Sequence, residues 1–163
     1  MNYLSFIEFV DKYNLKDQAT SNTKIKDVLD ELKIPAGIYM RDDQFTTNSG
    51  IVNLHPTKGT HWVLFHDKFY FDSYGCPPPK NVINQIENGT YSEYQIQKND
   101  SYCAAYCLYV LYLTQIIGFK KAVLKLYYQT FKTYKMRKIK NYSVHFKCIS
   151  SAQPKNNNKI NKR

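Results

Sequence analysis

Residues 61–74 read HWVLFHDKFYFDSY, two runs of β-branched and aromatic residues on either side of the polar pair Asp67 and Lys68, and their reading decides the fold. Such runs around a two-residue loop predict a β-hairpin with strands 61–66 and 69–74. That loop sets His66 opposite Phe69, Phe65 opposite Tyr70, Leu64 opposite Phe71 and Val63 opposite Asp72. Side chains alternate with period two along a strand, so His61 shares a face with Val63, and Asp72, opposite Val63, shares it too. The pair become diagonal neighbours with Cα atoms about 7 Å apart, close enough for an imidazole to meet a carboxylate. His66 falls on the opposite face. A one-residue slip in register would destroy the arrangement.

Outward from the hairpin, GIYM at 37–40 and GIVNL at 50–54 read as further short strands, punctuated by turn residues such as Asn48, Gly50, Pro56 and Gly59. Upstream, Ile25, Val28, Leu29 and Leu32 follow i, i+3, i+4, i+7 and stop before Pro35. With Leu4, Ile7, Phe9 and Val10 they predict two short amphipathic helices. Downstream, PPPKNVINQIEN at 77–88 predicts a helix opened by prolines, and YSEYQIQ at 91–97 alternates like a strand. From Asp100 or Ser101 to about Gly118 the chain predicts a long helix that is apolar all round, which belongs at the centre of a fold. A second helix, FKKAVLKLYYQTF at 119–131, follows it.

The whole chain has 163 residues, 43% of them apolar and 15% aromatic, with a net charge of +10. This composition excludes a disordered basic segment and predicts one compact domain burying roughly 70% of its unfolded surface. The charge is split: residues 1–100 hold 10 Lys/Arg and 13 Asp/Glu, whereas residues 101–163 hold 13 Lys/Arg and no acid. Glu8 and Asp11 interrupt the N-terminal apolar residues, so no secretory signal is expected. Four cysteines without such a signal point to a reducing compartment with free thiols. The apolar stretch Cys103 to Phe119 is too short, and too rich in Tyr, Thr and Gln, for the ~20 residues of a membrane span.

A histidine oriented by a carboxylate is two thirds of a nucleophile-activating triad, and it needs a Ser or Cys within reach. Cys103 is the best candidate. It lies in the first turn of the long helix, just after the capping candidates Asp100 and Ser101, where the helix dipole favours a thiolate. Cys107 lies a turn deeper, where burial favours the neutral thiol. Gln97, close before the helix, offers a side-chain amide to an oxyanion alongside the Cys103 backbone amide. Gln95 is its rival, and strand parity does not separate them. A zinc site from His61, His66, Cys103 and Cys107 conflicts with the opposite faces of the two histidines. Trp62 reads as a packing residue, Cys76 and Cys148 as incidental, and Asn88-Gly89-Thr90 as a turn.

The order His, Asp, Gln, Cys, carried by GTHWVLF, by YFDSYG followed by prolines, and by Gln with a five-residue spacer before CAAYCLYVL, resembles the adenovirus maturation protease (adenain) and the related ubiquitin-like-protein proteases. It is most similar to the small versions encoded by virophages and Maverick/Polinton elements. The resemblance covers about residues 48–115. It implies a single α+β domain over residues 1–150, with a mixed central β-sheet flanked by helices and the nucleophile at the N-terminus of a buried central helix. It also implies a cysteine endopeptidase cleaving near small residues in capsid or other virion precursor proteins, with His61 as base, Asp72 orienting it, Gln97 in the oxyanion hole and Cys103 as nucleophile. Ala104 departs from the glycine usual after the nucleophile. The expected setting is the virion and the cytoplasm or virus factory of an infected cell, as a monomer without metal or organic cofactor; a DNA or peptide activator stays open.

Two alternatives accompany this reading. One is a deconjugating protease for ubiquitin-like proteins. The other is a non-catalytic basic virion protein that binds nucleic acid, because Lys120, Lys121, Lys125, Lys132, Lys135, Arg137, Lys138 and Lys140 are interleaved with tyrosines in a way that suits non-specific DNA binding. The final SAQPKNNNKINKR at 151–163 is too polar to pack and is expected to form a disordered tail.

Overall fold

In a computed structural model the described residues are 3–16, 20–55, 61–98 and 100–136. The expected domain limit at 150, the tail at 151–163 and Cys148 lie outside them. The elements in chain order are α1 (Phe6–Lys12), α2 (Asn22–Leu32), β1 (Gly37–Met40), β2 (Ser49–Asn53), β3 (Trp62–His66), β4 (Phe69–Phe71), α3 (Lys80–Gln85), β5 (Thr90–Tyr91), α4 (Cys103–Ile117) and α5 (Phe119–Met136). The fold is α+β, with five strands in one sheet of order β1-β2-β3-β4-β5. The sheet is mixed: the outer pairs β1–β2 and β4–β5 are parallel, and β2–β3 and β3–β4 are antiparallel.

The β3–β4 hairpin has the register read from the sequence, with Leu64 opposite Phe71, Phe65 opposite Tyr70 and His66 opposite Phe69. Asp67 at the turn has a left-handed backbone (φ 51°), a conformation that Asp tolerates better than most residues. The strands are shorter than expected, so His61 and Asp72 lie just outside the ladder, one before β3 and one after β4.

Period-two alternation sorts the sheet's two faces. Ile51, Trp62, Leu64 and Phe71 join one core with α1, α2, α4 and α5, while Val52, Val63, Phe65 and Tyr70 join a second, smaller core with Val82 and Ile86 around α3. From Cys103 to Leu111 every residue of α4 is buried, which is why that helix carries no polar face. Its tyrosines are amphipathic solutions to this burial. Tyr109 packs edge-on against Phe6 and Phe9, yet its hydroxyl donates to the Leu4 carbonyl at 2.8 Å, giving its polar tip a partner. The high aromatic content thus glues α1 to α4. Among the described residues no helix is long and apolar enough to cross a membrane.

Two local expectations fail. YSEYQIQ is a strand only at Thr90–Tyr91; beyond it, the amides of Ile96 and Gln97 both donate to the Ser73 carbonyl, each at 2.8 Å. Two consecutive amides on one oxygen break the alternation, and Ile96 and Gln97 are both buried. Cys76, read as an incidental free thiol, is disulfide-bonded, whereas Cys103 and Cys107 are free.

Candidate active site

The site forms where β3 begins, β4 ends and α4 starts. His61, 7% exposed, sets Nε2 3.0 Å from Asp72 Oδ2, and Asp72 is 2% exposed. The carboxylate is itself held, since Oδ1 accepts from the Tyr74 amide at 2.8 Å. Cys103 is the second side chain that acts on the imidazole, and like Asp72 it favours the charged ring. Burial acts to lower its pKa, but Asp72 and Cys103 outweigh burial and push it up to about 9, which favours the imidazolium at neutral pH. The half-buried Tyr74 ring sits 5.1 Å from the imidazole, centroid to centroid.

The sulfurs of α4 straddle one residue of β3. The Trp62 amide donates to Cys103 Sγ at 3.5 Å, and the Cys107 thiol donates to the Trp62 carbonyl at 3.4 Å. Burial pushes the Cys107 thiol well up, so only Cys103 has the setting of a nucleophile. Trp62 is a packing residue, 1% exposed, with its indole N–H on the Thr20 carbonyl at 3.1 Å.

The helix start differs from the expected capping. The N-cap is Tyr102, and no side chain caps α4. Asp100 instead braces the approach: Oδ1 accepts from the Tyr102 amide at 3.1 Å and Oδ2 from the Tyr106 hydroxyl at 3.2 Å. The helix begins one residue later than a cap at Ser101 would require and two later than a cap at Asp100 would, so Asp100 reaches the N-cap amide rather than the first-turn amides. The positive end of α4 is left facing the sulfur. Ala104 is buried in the core beside Cys103.

Gln97 and Gln95, which parity left unresolved, are separated by burial: Gln95 is exposed and Gln97 is 1% exposed. Gln97 Oε1 accepts from the Ser73 hydroxyl at 2.5 Å, and Nε2 donates to the Asp100 carbonyl at 2.6 Å. The turn that carries Asp72 and Ser73 is pinned at Gly75, whose left-handed backbone (φ 73°) would place a Cβ 2.7 Å from the Glu93 carbonyl. The structure thus brings all four candidates, His61, Asp72, Gln97 and Cys103, to one end of the sheet. Ser73, Tyr74 and the bracing role of Asp100 were not read from the sequence. Adjacency to Asp72 was the one available signal for Ser73.

His66 lies on the other face, with Nδ1 2.7 Å from Ser49 Oγ and its ring stacked on Phe119. Among the described residues no group of three His, Cys, Asp or Glu side chains is arranged to hold a metal ion. Compared with known proteins, the chain matches no family model, no curated relative and no solved structure.

Proposed function

We propose that the protein is a cysteine endopeptidase acting on virion precursor proteins. The observation that carries the chemistry is the buried His61 ring bonded to Asp72, with the Cys103 side chain acting on it to favour its charged form; the substrate class follows from the motif order and its resemblance to adenain-like proteases. In this mechanism the Cys103 thiolate attacks the scissile carbonyl carbon, forming a C–S bond, and the oxyanion is met by the second Nε2–H of Gln97 and the Cys103 backbone amide. His61 then gives its proton to the leaving amine as the C–N bond breaks. Neutral His61 next takes a proton from water, the hydroxide displaces sulfur, and the carboxylic product leaves.

Alkylation tests the nucleophile directly. With iodoacetamide at pH 7, Cys103 is expected to be labelled at least about tenfold faster than Cys107, read by peptide mass mapping. Equal or reversed labelling would overturn the assignment. Cleavage of a co-encoded capsid protein supports the maturation role, while preferential cleavage of a ubiquitin-like fusion would move the enzyme to the deconjugating class.

A second, compatible role is non-specific binding of DNA. On α5, Lys121, Lys125 and Tyr128 share a face by their spacing, and Tyr128 is 57% exposed. Exposed tyrosine beside lysine suits base stacking and phosphate contact. The double variant Lys121→Ala/Tyr128→Ala is expected to weaken binding of a single-stranded oligonucleotide several-fold and to reduce the salt slope by about 1. Unchanged affinity and slope would remove this face from the interface.

A further inference from the structure

A primary carboxamide offers two similar ends, oxygen and nitrogen, and only the nitrogen can donate to an oxyanion. At Gln97 the choice is made by neighbours. The Asp100 carbonyl, an acceptor only, takes one Nε2–H, and the Ser73 hydroxyl, 0% exposed, donates to Oε1. The reversed orientation would bring Oε1 against the Asp100 carbonyl oxygen, two acceptors in contact. Ser73 also holds the backbone behind this side chain, because its carbonyl accepts the amides of Ile96 and Gln97.

From this clamp we infer that Ser73 is a positioning residue for the oxyanion donor: it anchors the oxygen end of Gln97 so that the Nε2 end is turned toward Asp100 and the start of α4. The inference rests on the protease reading above. Asp72 and Ser73 are consecutive, so one dipeptide orients two separate parts of the machinery, the imidazole through Asp72 and the carboxamide through Ser73. Alanine at position 73 keeps the backbone carbonyl and the Asp72 contact but leaves Oε1 buried without its donor.

The test compares the parent with Ser73→Ala, using a coumarin-amide peptide ending in Gly-Gly as substrate and the matching peptide aldehyde as inhibitor. Losing one oxyanion donor outright costs about 10²–10³ in kcat; loosening it is expected to cost about tenfold in kcat, with KM changed less than twofold. The aldehyde, whose hemithioacetal needs the oxyanion hole, is expected to bind about tenfold more weakly, while iodoacetamide labels Cys103 at the parental rate. In a Gln97→Ala background, Ser73→Ala is expected to add nothing. A general structural role would slow alkylation as well and would add to Gln97→Ala, and either result overturns the inference, as does parental kcat in Ser73→Ala. If alanine leaves the chain unfolded, Ser73→Cys, with a much weaker donor, is expected to show the same split. A parent that neither hydrolyses the peptide nor binds the aldehyde sinks the protease reading itself, whereas an active parent with an unaffected Ser73 variant sinks this inference alone.

Discussion

Replacing Cys103 by alanine is expected to lower kcat/KM on the coumarin-amide peptide by about 10⁴-fold or more, the scale on which removal of a catalytic nucleophile acts. No neighbouring thiol can take over. Cys107 is fully buried, its S–H donates to the Trp62 carbonyl, and burial opposes its ionisation. The fold is expected to survive, because alanine is the best residue for a helix turn and the helix start has no side-chain cap to lose. The melting temperature should therefore stay within a few degrees of the parent's while turnover disappears. Hydrolysis persisting in a folded Cys103→Ala would overturn the assignment.

The second large effect concerns Asp72 and pH. In the proposed mechanism His61 carries a proton to release the leaving amine, and its folded pKa is about 9, so kcat/KM is expected to fall on the alkaline side with a midpoint near that value. In Asp72→Ala, burial acts with only the Cys103 contribution opposing it, so the alkaline limb is expected to move down, with kcat lower by about 10²–10⁴. Stability follows the same proton. The folded pKa lies above the ordinary value of 6.5, so between the two the folded chain binds more protons than the unfolded one. The contribution of His61 is fully present below pH 6.5 and is lost as pH rises through about 9. Urea unfolding at pH 6 and pH 9.5 should show the parent losing stability across this window and Asp72→Ala losing less. An alkaline limb that stays near pH 9 in the variant would rule out the carboxylate as the cause.

The hairpin register and the companionship of His61 and Asp72 were legible because a two-residue loop and a period of two leave little freedom. The buried helix starting near Cys103 was legible from its apolar residues on every side. Three features were not. Alternation at 91–97 suggested a strand, but hydrogen bonds from Ile96 and Gln97 to the Ser73 carbonyl override it, a tertiary effect on a weak local preference. Asp100 was read as a helix cap because Asp is a good cap, yet the helix starts far enough along that its carboxylate takes Tyr102 and Tyr106 instead. Ser73 had no local signature beyond its place next to Asp72: its partner Gln97 is 24 residues away, and only the packed chain makes them neighbours.

The peptide units around Trp62 are joined to both thiols of α4, and this gives the molecule its own reporter. An amide proton donated to sulfur feels the charge and substitution of that sulfur. Acylation or alkylation of Cys103 weakens the acceptor, so the Trp62 amide resonance should shift and exchange faster with solvent deuterium. Its carbonyl partner at Cys107 is untouched by that chemistry and supplies an internal reference one bond network away. Modification of Cys103 can thus be followed from the backbone, without a label on the modifying molecule.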